Sequence, residues 1–438
     1  MRAATSLPLW STVADHNSDN TEPTRTFTIT GMPGTTIAPW SGHQPPVTQN
    51  PNPSATCLLM PLPSSPAAAI QAVLWGGLLL GVLLGALAQA TRFCTMGALA
   101  DWFSYGGTAR LMMWVLAVAV AAVGAAALMQ LGWLDATRTA AWSAQLLWLS
   151  CLVGGTLFGV GMVLASGCPQ RNLVRAGAGN LKAWVTLGSV GLASQMTLRG
   201  VLAGPRSQWL DSAGLALGHP QDLGSVLASG LGGQLSPANL SAATWRWAVL
   251  ALLLLGAALL LWRCRAALDR SHWLGGAGVG LLVTAAWALT GHIGYLAEHP
   301  ETLEAVWLGT ASHRPEGLSF VAPLAQALDL LTLWSDRNTV PTFGVVVTLG
   351  VLLGSALAAW LRGEFRVESF SSAADLGQHL LGGLLMGFGG VTALGCSIGQ
   401  GITGLSLLSS GAALAVLGMV LGTWLGVRWQ TWRLERVG

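Results

Sequence analysis

Three cysteines stand in glycine-rich turns: Cys94 in Thr91-Arg92-Phe93-Cys94-Thr95-Met96-Gly97, Cys168 in Ala165-Ser166-Gly167-Cys168-Pro169-Gln170-Arg171-Asn172, and Cys396 in Leu394-Gly395-Cys396-Ser397-Ile398-Gly399-Gln400-Gly401. In the last two, Gly precedes Cys at the end of an apolar run and a short helix-like run follows. The thiol is therefore expected at the start of that short helix. Unpaired backbone N–H groups and the helix dipole favour an anion there without any fixed positive charge. A thiol adds a weak S–H donor suited to a soft sulfur atom, and the same position makes it more reactive. The pattern predicts a path for a small sulfur-containing solute lined by Cys94, Cys168 and Cys396.

The remaining polar residues of these turns have two readings each. Arg92 and Arg171 can draw in an anion, or they mark the cytoplasmic ends of membrane helices, where arginines ordinarily collect. Gln170, Asn172, Ser397 and Gln400 can line the path, or they satisfy backbone groups opened by the glycines, which is the commoner role for such a residue. Cys151 and Cys264 read as small hydrophobes, and His379 as a polar residue at a membrane interface. The six cysteines form no C-x-x-C pair and no His-spaced cluster, so neither a zinc site nor a thioredoxin-type motif has support. No catalytic residue, metal or cofactor is expected.

These turns need a scaffold, and composition names its class. Of 438 residues only 9% are charged while 52% are hydrophobic, against about 25% charged in soluble domains. Apolar windows predict about nine membrane-crossing helices near 68–90, 109–131, 145–166, 182–203, 245–262, 273–293, 341–361, 379–395 and 411–429, each long enough for a hydrocarbon core of about 30 Å. Segments near 93–105, 169–180, 397–409 and 323–334 are apolar but too short or too glycine-broken to cross, and read as short re-entrant helices. Irregular backbone at membrane depth needs protein or a watery cavity around it. The expected fold class is an all-α polytopic membrane protein.

Residues 1–66 are polar and rich in Pro, Ser, Thr and Asn, a composition that does not fold alone. They read as a disordered tail without a signal-peptide core, and Met60 offers an alternative start. Thirteen of the 21 Lys and Arg fall in one set of alternate loops together with the chain's end. That asymmetry predicts the N-terminus outside, the C-terminus in the cytoplasm, and no nucleic-acid partner.

An internal repeat orders the helices. The stretch from Gly154-Gly155 superposes on that from Gly382-Gly383: Gly159 on Gly387, Gly161 on Gly389, Ala165 on Ala393, Gly167 on Gly395 and Cys168 on Cys396. Further glycine pairs at Gly76-Gly77 and Gly275-Gly276 extend this to four units in the order A-B-A′-B′. Two pseudo-symmetric halves are expected, 67–240 and 241–438, a plan by which transporters place a solute site near the midplane. Unit A′ ends on Thr290-Gly291-His292 and contributes no thiol.

The chain resembles the YeeE/YedE membrane proteins, the sulfur-transport family, over about 68–430. The resemblance rests on RFCTMGALADW at 92–102, GGTLFGVGMVLASGCPQRNLVRAGAGNL at 154–181 and HLLGGLLMGFGGVTALGCSIGQGITG at 379–404. It implies an hourglass of helices in a bacterial inner membrane, thiosulfate as the solute passed between Cys94, Cys168 and Cys396, and a cytoplasmic TusA-like sulfur-carrier partner. The long segment His299–Val340 departs from the family pattern. A membrane-bound sulfurtransferase forming a cysteine persulfide, a transporter of a selenium species, and a structural or assembly protein of the membrane are the alternative readings. No P-loop is present, so energy for transport must come from gradients or downstream trapping.

Overall fold

The structure is a computed structural model; it describes residues 65–230, 241–298 and 303–437. The polar tail and Met60 lie outside the described residues. The long helices are α1 (Pro66–Thr91), α3 (Ala109–Gln130), α4 (Trp148–Leu164), α6 (Leu181–Leu198), α9 (Ala242–Arg263), α10 (Arg270–Ala288), α12 (Phe343–Leu361), α13 (Ala373–Thr392) and α14 (Ser410–Val437). Short helices α2 (Thr95–Tyr105), α5 (Pro169–Gly177) and α11 (Val321–Thr332) fall at three of the glycine-broken segments, and a single π-helical turn, Gly399–Gly404, at the fourth. Two small helices, α7 (Ala203–Pro205) and α8 (Leu223–Gly230), fill the connection ahead of α9. Among the described residues, sheet is confined to two antiparallel pairs of two residues per strand, Gln145–Leu146 with Leu215–Ala216 and Tyr295–Leu296 with Val306–Trp307.

Every predicted span is a helix, but they are not alike. Among the described residues, seven helices are long and apolar enough to cross a membrane. The exceptions are α6 and α13, whose polar residues Thr186, Ser189, Ser194, Thr197 and His379 are buried inside the protein. Each turns this polar face to its neighbours and leaves large apolar side chains exposed on the other, Trp184 and Leu192 on α6 and Leu381 and Leu384 on α13, so its mean hydropathy falls although one face is apolar.

Helix pairing follows the four sequence units. The first helix of each unit packs on the last helix of its counterpart: α1 on α12, α10 on α3, α4 on α14, α13 on α6. Paired glycines one turn apart make these contacts. On the first pair Gly81 and Gly85 face Gly350 and Gly354; on the third Gly155 and Gly159 face Gly418 and Gly422. A β-carbon at Gly350 would stand 2.5 Å from the Leu78 carbonyl oxygen, and one at Gly418 would stand 2.5 Å from that of Leu152. The other two pairs repeat the pattern, with Gly276 and Gly280 against Met113 and Ala117, and Gly383 and Gly387 against Thr186 and Val190. In a bilayer no hydrophobic drive joins helices, so backbone approach through small residues supplies the packing.

Candidate solute path at the cysteine turns

Each cysteine turn begins with a helix stopping on a left-handed residue two positions before the thiol. Arg92, Ser166 and Leu394 have φ of 55°, 54° and 60°. After α4, Ser166 N–H donates to Val163 and Gly167 N–H to Met162; after α13, Leu394 N–H donates to Val391 and Gly395 N–H to Gly390. This double bond pattern closes a helix while sending the chain back toward its neighbours. Glycine comes next in two of the turns because the following helix folds a side chain over it: a β-carbon at Gly167 would meet Arg171 Cγ at 3.2 Å, and one at Gly395 would meet Gln400 Cγ at 3.1 Å.

The thiols then face the first amides of the next helical turn. Cys94 Sγ accepts from the Gly97 amide at 3.2 Å and Cys396 Sγ from the Gly399 amide at 3.3 Å. Cys168 is the N-cap residue of α5, where the corresponding Arg171 amide faces the sulfur without closing a cap bond. With a sulfur lone pair turned to backbone, the S–H hydrogen is left to point elsewhere. Cys168 and Cys396 are fully buried and Cys94 nearly so. Cys168 has Cys94 and Cys396 as electrostatic neighbours, and the Ser397 hydroxyl lies beside its thiol. The Ser319 hydroxyl is 3.9 Å from Cys396 Sγ.

The polar residues divide by what they touch. Asn172 Nδ2 donates to the carbonyls of Gly167 and Cys168 at 2.9 and 3.2 Å, and Gln400 Nε2 to that of Ala393 at 2.9 Å. These two hold the turns closed. Gln170 and Ser397 are each 1% exposed; among the described residues the Gln170 amide atoms have no partner, and the Ser397 hydroxyl has none besides the Cys168 thiol. Among the described residues the buried Arg171 Nη1 has no partner, and its neighbour Arg175 donates to the Ser166 carbonyl at 3.3 Å. Arg92 is exposed at the left-handed turn itself. His379 sits beside Asp375, Nδ1 to Oδ1 3.1 Å, and Asp375 is tied to Lys182 Nζ at 2.7 Å. The bond from Lys182 holds the Asp375 carboxyl down at about 2.

A cavity of about 370 Å³ reaches the Cys396 turn, lined among others by Glu316, Ser319, Gln326, Leu394, Gln400 and Thr403. Glu316 accepts from the Ser312 amide and hydroxyl at 2.9 and 2.6 Å. Burial nevertheless pushes its carboxyl above the usual carboxylate range. Unit A′ ends differently from the others. Thr290 binds the Glu316 backbone in both directions, and His292 stacks on Trp133 at 4.8 Å. Sequence reasoning missed Thr95, Ser319 and Glu316. Thr95 had a signal, because a hydroxyl residue directly follows both Cys94 and Cys396. Among the described residues no cluster of His, Cys, Asp and Glu is arranged to hold a metal.

A sequence description of the sulphur transport family matches residues 90–425. The chain is 30% identical over 364 residues to the thiosulfate transporter TsuA of Escherichia coli (strain K12), covering 80% of this chain and 92% of that protein. It is 26% identical over 365 residues to the thiosulfate transporter TsuA of Spirochaeta thermophila, covering 80% and 97%. A shorter likeness, 32% over 116 residues, joins it to the probable transporter YedE of Escherichia coli (strain K12), across 26% of this chain and 27% of that one. With the family match running from the first cysteine turn into the last long helix, this chain is a multi-pass membrane protein that belongs to the sulphur transport family.

Proposed function

We propose that this chain carries thiosulfate, or a closely related small sulfur anion, across a bacterial inner membrane, passing it along Cys396, Cys168 and Cys94. The observation that supports this reading most is the common build of the three turns: a left-handed residue, one spacer, then a buried thiol facing an amide three residues on. A neutral S–H grips a terminal sulfur weakly, and weak contacts in series suit a solute that must also leave. The relatives named as thiosulfate transporters support the choice of solute. In this reading the halves 67–240 and 241–438 form one interlocked body, the N-terminus lies outside, and the C-terminus faces a cytoplasmic sulfur-carrier protein of the TusA kind. The chain acts as a carrier and forms no persulfide.

The test is flux. Purified protein in sealed liposomes is expected to accumulate labelled thiosulfate, and Cys168→Ala or Cys396→Ala to abolish accumulation while the protein still inserts. Uptake by either variant at the parent rate, or persulfide on the protein after exposure to thiosulfate, would overturn the reading.

A further inference from the structure

Burying a polar atom without a hydrogen-bond partner is costly, and folded proteins rarely keep one without a use for it. Around the cysteine turns such atoms gather. Among the described residues Thr95 Oγ1 and both amide atoms of Gln170 have no partner, and Ser397 Oγ has none besides the Cys168 thiol it faces; the three residues are 7%, 1% and 1% exposed. Each follows a path cysteine by one or two positions. They are not spare backbone ties, because Asn172 and Gln400 already make those bonds. Ser397 lies against the Cys168 thiol although it belongs to the Cys396 turn, and Cys94 is a further neighbour of that thiol, so the three turns that carry these atoms converge at Cys168.

We propose that Thr95, Gln170 and Ser397 form an oxyanion-recognition site that holds the oxygen end of the solute while the Cys168 thiol faces its terminal sulfur. This deepens the transport reading and rests on it. The side chains are two hydroxyls and a primary amide, all able to donate and none charged. They suit a small anion with several oxygens on one atom and a sulfur opposite, and hold it without the grip of a buried cation. An ion bearing only oxygens presents the wrong atom to the thiol. Selectivity then comes from which end meets which group, since a site built on hydrogen bonds rejects analogues that leave its groups unpaired.

Stability separates this role from a structural one. Gln170→Met keeps the side-chain length and removes two unsatisfied polar atoms. The purified variant, without solute, is expected to melt at or above the parent temperature, while its affinity for thiosulfate, measured by calorimetry in detergent, falls at least tenfold. Ser397→Ala is expected to lose affinity and to narrow the preference for thiosulfate over sulfate. Gln170→Asn, which keeps an amide on a shorter arm, serves as a second variant if the Met variant does not fold, with an intermediate loss expected. Parent-like affinity and sulfate discrimination in Ser397→Ala and whichever Gln170 variant folds would overturn the site and leave the carrier reading standing. Failure of the unaltered protein to bind thiosulfate would instead overturn both.

Discussion

Ser166 and Leu394 occupy the same place in two turns 228 residues apart, each in left-handed backbone two residues ahead of a buried cysteine. Neither is glycine, although left-handed backbone costs an ordinary residue about 1 kcal/mol relative to glycine. The turns are held in that shape by the doubled amide bonds to the preceding helix.

Relieving that strain is a direct measurement. Ser166→Gly and Leu394→Gly are each expected to leave thermal stability unchanged or raise it by up to about 1 kcal/mol, whereas Ser166→Val, with a branched β-carbon at positive φ, lowers it. Melting of the detergent-solubilised variants checks both directions. A destabilised glycine variant would show that the turn needs the side chain itself.

The helix contacts make a sharper demand. Gly418→Val places branched carbons where a β-carbon alone stands 2.5 Å from the Leu152 carbonyl oxygen. Overpacking of this kind costs about 1–3 kcal/mol or more, and backbone offers no flexible end to move aside. Gly418→Val is expected to give little folded protein by size-exclusion chromatography, while Gly256→Val, on α9 where nothing lies within 4 Å, behaves like the parent.

Thiol reactivity should track burial. In a Cys57→Ser background, a bulky maleimide is expected to modify Cys264, partly exposed at the end of α9, well before Cys168 and Cys396. Mass spectrometry over a time course reads the order. Cys264→Ser is expected to leave thiosulfate uptake unchanged.

Glu316 and Asp375 give opposite pH signatures. Burial raises the Glu316 carboxyl against the help of Ser312, the Ala311 amide and nearby His313. A raised carboxyl favours folding in its protonated form, so that contribution is complete below the unfolded value near 4.5 and is lost as pH rises through the folded one. Glu316→Gln is therefore expected to melt higher than the parent at pH 8, with the gap closing toward acidic pH.

For Asp375 the sign reverses. Its value falls from 3.8 to about 2 through the Lys182 bond, so the contribution is present above about pH 4 and fades as pH drops toward 2. Asp375→Asn is expected to melt below the parent at neutral pH and to match it only in strong acid. The pair is partly open to water, which keeps the effect small.

Much of the fold was legible in the sequence, for a physical reason. Hydropathy and glycine breaks are local, so the nine long helices of the described residues and the short elements near 93–105, 169–180, 323–334 and 397–409 could be read from windows of sequence, whereas α7, α8 and the two strand pairs, which depend on long-range packing, could not. The buried polar face of α6 and α13 could not be read either, because which side of a helix its neighbours cover is set by tertiary packing. The left-handed turns were hidden because Arg92, Ser166 and Leu394 are residues that rarely mark such backbone. Gln170, Asn172 and Gln400 carry the same functional group, and only the direction each amide points separates those that tie backbone from the one left unpaired.

The exchange of helices between units has a consequence for how such a molecule came about. First-on-last packing in both directions, α1 on α12 and α10 on α3, is the reciprocity of a two-fold dimer, in which patch i meets j and j meets i. On the proposed division, a half-length ancestor would have paired with itself through the glycine-bearing faces of its first helix before one gene came to encode both copies. A fusion of that kind would free the two copies to diverge, so that one end of a symmetric pair keeps Cys94 while its counterpart carries Thr290 and His292.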